Sequence, residues 1–136
     1  LGYMLGGKKQ VEKISRFGWP WSVNALAIEA GKFLLTQGES GLPDATGLLH
    51  RQREFSARIA GISGFRPQPS HTSFFLTETD HDTAALKSYL LENHGILIRN
   101  ASNFRGLDNH YFRVNTLTDE KNNALLSALK SYAGKR

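Results

Sequence analysis

The hydrophobic period of this chain changes near Gly64, and that change limits what it can build. Before the glycine, two stretches repeat at three- and four-residue steps. The first is Val23, Leu26, Ala27, Ala30, Phe33 and Leu34; the second is Leu48, Leu49, Gln52, Phe55, Ile59 and Ile62. One buried face of a helix requires this spacing. After the glycine, shorter runs read as strands: Thr72 to Thr77, Ile96 to Arg99, and the alternating Tyr111 to Thr116.

Local signals set the boundaries. Lys8 to Arg16 predicts a short helix with Val11 and Ile14 on one face, broken by Trp19-Pro20-Trp21 because proline removes a donor and restricts its predecessor. Ser22 is the expected cap of the next helix, which Gly38 and Gly41 stop. Pro43 is expected to start a helix running to about Ile62, and Gly64 to Ser70 reads as a proline-containing connection. Asp80 or Asp82 can cap a helix through Asn93, with Leu86, Tyr89 and Leu90 inward and Gly95 as its left-handed terminator. Thr118 is the expected cap of the last helix, with Asp119 and Glu120 at its positive end and Leu125, Leu126 and Leu129 inward. The order after the two long helices is therefore βαββα. It predicts a mixed α/β fold of the two-layer α+β kind, a small sheet covered by helices on one face.

Composition removes several function classes. The 136 residues suit one domain, and 40% hydrophobic content is ordinary for a globular protein. No apolar stretch approaches the roughly 18 to 20 residues that span a bilayer. Cysteine is absent, which excludes disulfides, thiol catalysis and thiolate metal sites. The net charge is +5, but Lys8, Lys9, Arg51, Arg53, Arg58, Lys135 and Arg136 are scattered and read as solvated surface. His50, His71, His81, His94 and His110 show no metal-ligand spacing, so no metal site is expected. Gly2, Gly6 and Gly7 form no phosphate-cradling loop. Leu1 to Gly7 lacks the charged start of a signal peptide and begins without methionine, so the expectation is a piece of a longer protein.

Two arginines carry the functional argument. Arg99 closes the apolar run Ile96-Leu97-Ile98, and Arg113 lies in Tyr111-Phe112-Arg113-Val114. The polar stretch Asn100 to Asp108 separates them. If it folds the runs together, both guanidiniums reach one mouth of the small domain. A guanidinium grips carboxylate or phosphate through parallel hydrogen bonds, so the pair would suit a small molecule with two anionic ends.

The same residues resemble a known family. Gly95-Ile96-Leu97-Ile98-Arg99, Gly106-Leu107-Asp108 and Tyr111-Phe112-Arg113-Val114 resemble the C-terminal domain of fold-type I pyridoxal-phosphate enzymes. Within them, the threonine-phosphate decarboxylase branch of cobalamin synthesis is the nearest match, and histidinol-phosphate aminotransferase is its relative. Pro20-Trp21-Ser22-Val23-Asn24-Ala25 resembles the decarboxylase branch, and Leu1-Gly2-Tyr3 resembles the end of the family's S-x-x-K…G-x-R-x-G-Y segment.

The resemblance implies a C-terminal fragment with the small-domain fold of class I/II aminotransferases. Residues 1–18 would be a remnant of the large cofactor domain, and 19–136 the substrate-closing small domain. It implies a parent that converts L-threonine O-3-phosphate to aminopropanol phosphate with pyridoxal 5'-phosphate; the alternative parent is the aminotransferase. Arg113 matches the family's binder of the substrate α-carboxylate. Arg99, 14 residues earlier, matches the binder of substrate phosphate. Asn103, Arg105, Trp21 and Asn24 are further cleft candidates. The family's Schiff-base lysine lies before the Gly-Tyr pair, so no catalytic residue is expected here. The fragment alone should be inactive and hold no cofactor. A cytoplasmic homodimer is the expected parent, with no nucleic-acid or membrane partner.

A different class of reading takes βαββα and the positive charge as an RNA-binding module. Tyr111-Phe112-Arg113-Val114 offers aromatics but lacks the base-stacking pattern of such domains.

Overall fold

A computed structural model describes residues 5–19, 22–38 and 43–134. The chain divides into two compact units, residues 1–43 and 44–136. In the first unit, α1 spans Lys8–Ser15 and α2 spans Ala25–Thr36, and neither buries a residue. Asn24, not Ser22, caps α2: its side-chain oxygen accepts from the Ala27 amide at 2.8 Å. The helix begins two residues later than expected, which puts Asn24 at the position where that oxygen reaches an unpaired first-turn amide. Pro20, Trp21 and Gly41 lie outside the described residues.

The second unit begins with α3, Ala45–Ala60. Asp44 caps it by accepting from the Gly47 amide at 2.8 Å, so Pro43 precedes the cap and does not open the helix. Then follow β1 (Phe65–Pro67), β2 (Phe74–Thr79), α4 (Thr83–His94), β3 (Arg99–Asn100), β4 (Tyr111–Asn115) and α5 (Asp119–Ala133). The order after α3 is thus ββαββα, one strand more than expected. The extra strand is β1, inside the segment expected to be a connection. Pro67 cannot donate to a ladder, but β1 is an edge strand of the sheet β1-β2-β4-β3, where that is tolerated.

All three strand pairings are antiparallel. Strand β2 starts two residues later than the sequence suggests. The Ser70 and Thr72 hydroxyls both donate to the Phe74 carbonyl, at 2.6 and 2.9 Å, and fold the preceding residues into a turn. Strand β3 is shorter than the expected Ile96 to Arg99. Gly95 adopts φ 65°, and the Gly95 and Ile96 amides donate to Leu91 and Leu90 carbonyls. The Ile96 amide therefore closes α4 and is not available to a ladder.

Alternation places Phe75, Thr77 and Thr79 of β2 and Phe112 and Val114 of β4 on the covered face. Phe55, Ile59 and Ile62 pack there from α3 and its end, Leu86 and Leu90 from α4, and Leu125, Leu126 and Leu129 from α5. Phe55 meets Phe75 edge-on at 5.8 Å, and Phe65 meets Phe112 edge-on at 6.1 Å. Each such buried side chain contributes about 1.5–3 kcal/mol relative to exposure. Thr118 is the N-cap residue of α5 but makes no side-chain cap bond. The buried Asn122 instead accepts from the Leu117 amide at 2.9 Å and donates to its carbonyl at 3.2 Å, fixing the turn from β4 into α5. Within this unit α3, α4 and α5 thus form one layer on one sheet face. The opposite face carries the exposed residues of the strands.

Candidate functional site

Register decides what that open face presents. Arg99 of β3 lies directly opposite Arg113 of β4, and Arg113 lies opposite Leu76 of β2. Both arginines are exposed. Residues opposite one another across neighbouring strands have Cβ atoms about 4.5–5.5 Å apart, so two guanidiniums rise side by side. Like charges at such positions destabilise a sheet. Among the described residues, neither guanidinium forms an ion pair with a carboxylate.

Each is held by an aromatic ring instead. The Arg113 Cζ sits 5.0 Å from the centre of the Phe74 ring, and the Arg99 Cζ sits 5.6 Å from that of Phe104. Arg99 also donates to the Asn103 side-chain oxygen at 3.2 Å. Cation–π contacts at exposed sites contribute about 0.5–1 kcal/mol each and leave the hydrogen-bonding edges free. A guanidinium stacked this way keeps its donors for a ligand.

The loop that carries Asn103 and Phe104 is shaped by successive turns. The Phe104 amide donates to the Ala101 carbonyl at 2.9 Å and the Leu107 amide to that of Phe104 at 3.0 Å. Gly106, at φ 85°, makes the left-handed bend between them. The far end is tied to α4. Asp82 accepts from the Asn109 side chain at 2.7 Å, and Thr83 donates its amide to the Asn109 carbonyl at 2.9 Å. Asp82 also caps α4 through the Ala85 amide at 2.9 Å. The Ala85 amide first, and then the Asn109 side chain, hold the Asp82 carboxyl below its ordinary pKa.

Two cavities meet at Arg113. One, about 260 Å³, is lined by Gln68, Ser70, Phe74, Phe104 and Arg113. The other, about 370 Å³ and mostly apolar, is lined by Ile96, Leu97, Arg113, Leu117, Lys121 and Leu125. One further arginine stands on the open face. Arg66 of β1 donates to Glu78 at 3.0 Å and to Asp80 at 2.8 Å, and these partners, Glu78 foremost, raise its pKa above the ordinary value.

The sequence-derived candidates are therefore distributed unevenly. Arg99, Arg113 and Asn103 come together. Arg105 is on the same loop, exposed. Asn24 belongs to the first unit and serves as a helix cap. Trp21 lies outside the described residues. Phe74 and Phe104 were not foreseen as partners of the arginines. Arg66 and Glu78 were not foreseen at all, because strand β1 and its register were not visible in the sequence. No group of histidine and acidic side chains among the described residues could hold a metal ion. No described helix is long and apolar enough to cross a membrane.

No protein-family profile matches the chain. It is 32% identical over 136 residues to the threonine-phosphate decarboxylase of Salmonella typhimurium, covering 96% of this chain and 36% of that protein. It is 27% identical over 132 residues to histidinol-phosphate aminotransferase 2 of Nitrosococcus oceani, again 96% of this chain and 36% of that protein. Its fold matches the crystal structure of L-threonine-O-3-phosphate decarboxylase from Porphyromonas gingivalis with a TM-score of 0.83 and 37% identity, over 96% of this chain and 41% of that one. The chain spans about a third of the length of the curated relatives it matches. It is homologous to a part of these decarboxylases and aminotransferases and shares their fold.

Proposed function

We propose that this chain is the C-terminal, substrate-closing part of a pyridoxal-phosphate-dependent threonine-phosphate decarboxylase. The parent would convert L-threonine O-3-phosphate to aminopropanol phosphate and carbon dioxide. Residues 1–18 would end its large domain and 19–136 form its small one. The observation that carries the reading is the cross-strand pair Arg99–Arg113, which among the described residues has no carboxylate partner. A like-charged pair on one sheet face costs stability, and a dianionic ligand would offset that cost.

Arg113, on the interior strand β4, takes the substrate carboxylate. Arg99, on the edge strand beside the loop, takes the phosphate. Fixing both ends sets which bond of the α-carbon stands ready to break. Positioning of this kind can lower a barrier by several kcal/mol.

The cavity between Phe74, Phe104 and Arg113 has no lysine in its lining, whereas the neighbouring one includes Lys121. On this proposal the cofactor is held by the rest of the parent, as the family resemblance implies, and the part played by this chain is to bind and orient substrate. The decarboxylase reading is preferred because identity to that branch is higher, 32% against 27%. The test is turnover by the full-length protein. Carbon dioxide release from threonine phosphate supports the proposal. Its absence, together with amino transfer from histidinol phosphate to 2-oxoglutarate, makes the parent an aminotransferase.

A further inference from the structure

We infer that Arg66 is a positioning residue that holds Glu78 away from Arg113 and so keeps Arg113 open to its anion. The inference rests on the proposed ligand-binding role of Arg113. Glu78 is the one carboxylate carried by the four described strands. It stands on the open face, opposite Arg66 on one side and Tyr111 on the other. Arg113, two residues beyond Tyr111 on β4, is its diagonal neighbour. Diagonal positions are about 7–8 Å apart, within reach of two long side chains.

Arg113 therefore has two diagonal neighbours on β2, Phe74 and Glu78. It leans on Phe74, at 5.0 Å, while Glu78 turns the other way and accepts from Arg66 at 3.0 Å. Asp80 receives the second arm of the same guanidinium at 2.8 Å. One cation on an edge strand thus engages the acidic end of β2. Without Arg66, the cation on this face nearest to Glu78 by register is Arg113. A tethered carboxylate acts at an effective concentration of order millimolar or above, so it competes with the carboxylate of a free ligand. That competition weakens binding and leaves the chemical step untouched.

The test uses the full-length protein and threonine phosphate, with Arg66→Ala, Arg66→Lys, Glu78→Gln and the double variant Arg66→Ala/Glu78→Gln. Arg66→Ala should raise KM about 3- to 10-fold with kcat nearly unchanged. Arg66→Lys should recover most of the loss. Glu78→Gln should behave as wild type, and the double variant should return KM to within about twofold of wild type. A double variant no better than Arg66→Ala would overturn the inference, and so would an unchanged KM in Arg66→Ala. A second measurement stands apart from turnover. In this chain, the guanidinium Nε–H resonance of Arg113 should shift on Arg66→Ala and return on adding Glu78→Gln; a resonance that does not move overturns the inference. If Arg113→Ala leaves turnover of threonine phosphate unaffected, the functional reading fails, and the resonance still reports whether Glu78 is held away.

Discussion

At the residue scale, Arg99 and Arg113 face the same side of the sheet but should fail differently when removed. If Arg113 takes the carboxylate and Arg99 the phosphate, as proposed, losing either in the full-length protein leaves a substrate anion without its cation, at about 2 to 5 kcal/mol where the pair is enclosed. That corresponds to roughly 30-fold to several-thousand-fold in kcat/KM. Arg99→Ala should penalise threonine phosphate far more than threonine, since only the former uses the phosphate grip. Arg113→Ala should penalise both and lower kcat as well. Steady-state kinetics with the two substrates decides the matter; equal penalties for Arg99→Ala would remove its phosphate role. The arginines themselves were legible in the sequence, because each closes or interrupts an apolar run. Their ring partners were not. Phe74 reaches Arg113 only through the β2–β4 register, and Phe104 reaches Arg99 only through the turns of its loop.

At the element scale, two helix ends give separate tests. Gly95 ends α4 at φ 65°, with open space where a Cβ would stand. Gly95→Ala is therefore strained by backbone conformation alone and should lower stability by about 1–2 kcal/mol, read from the urea midpoint. At the other end of α4, Asp82 has a folded-state pKa below its ordinary value, owing first to the Ala85 amide and then to Asn109. Its contribution is present above the unfolded-state pKa of about 4 and is lost as pH falls through the folded value. Urea midpoints measured from pH 7 down to pH 3 should show Asp82→Asn less stable than wild type at neutral pH, with the gap closing in acid. A constant gap would mean that the carboxylate charge plays no part. Capping chemistry of this kind is local, so the sequence placed the Gly95 end of α4 and narrowed the other end to Asp80 or Asp82, of which the structure selects Asp82. The sequence misplaced β2 and overlooked β1, because three residues containing a proline carry no strand signal until a neighbour supplies the ladder.

At the scale of the whole molecule, the second unit owns the core and the paired arginines, and the first unit owns two helices that bury no residue. The proposal that the cofactor is held elsewhere in the parent makes this chain silent by itself. Mixed with pyridoxal phosphate, it should give no visible absorption band that is stoichiometric, survives dialysis and maps to one lysine. Such a band, found by spectrophotometry and peptide mapping, would place cofactor chemistry in this chain after all.

The sequence by itself determined the buried faces of α3, α4 and α5, the left-handed end at Gly95, the mixed α/β class and the two cationic positions; the face it expected to be buried on α2 buries no residue. All of these follow from spacing along the chain or from the conformational freedom of single residues. Only the tertiary structure decided that the sheet has four strands in the order β1-β2-β4-β3. It also decided that Arg99 stands against Arg113, and that Glu78 is held by Arg66 and not by Arg113. Strand register is a relation between segments far apart in sequence. A slip of one residue would send each of these side chains to the opposite face, and it is the buried faces of Phe75, Phe112 and Val114 against the helices that forbid the slip.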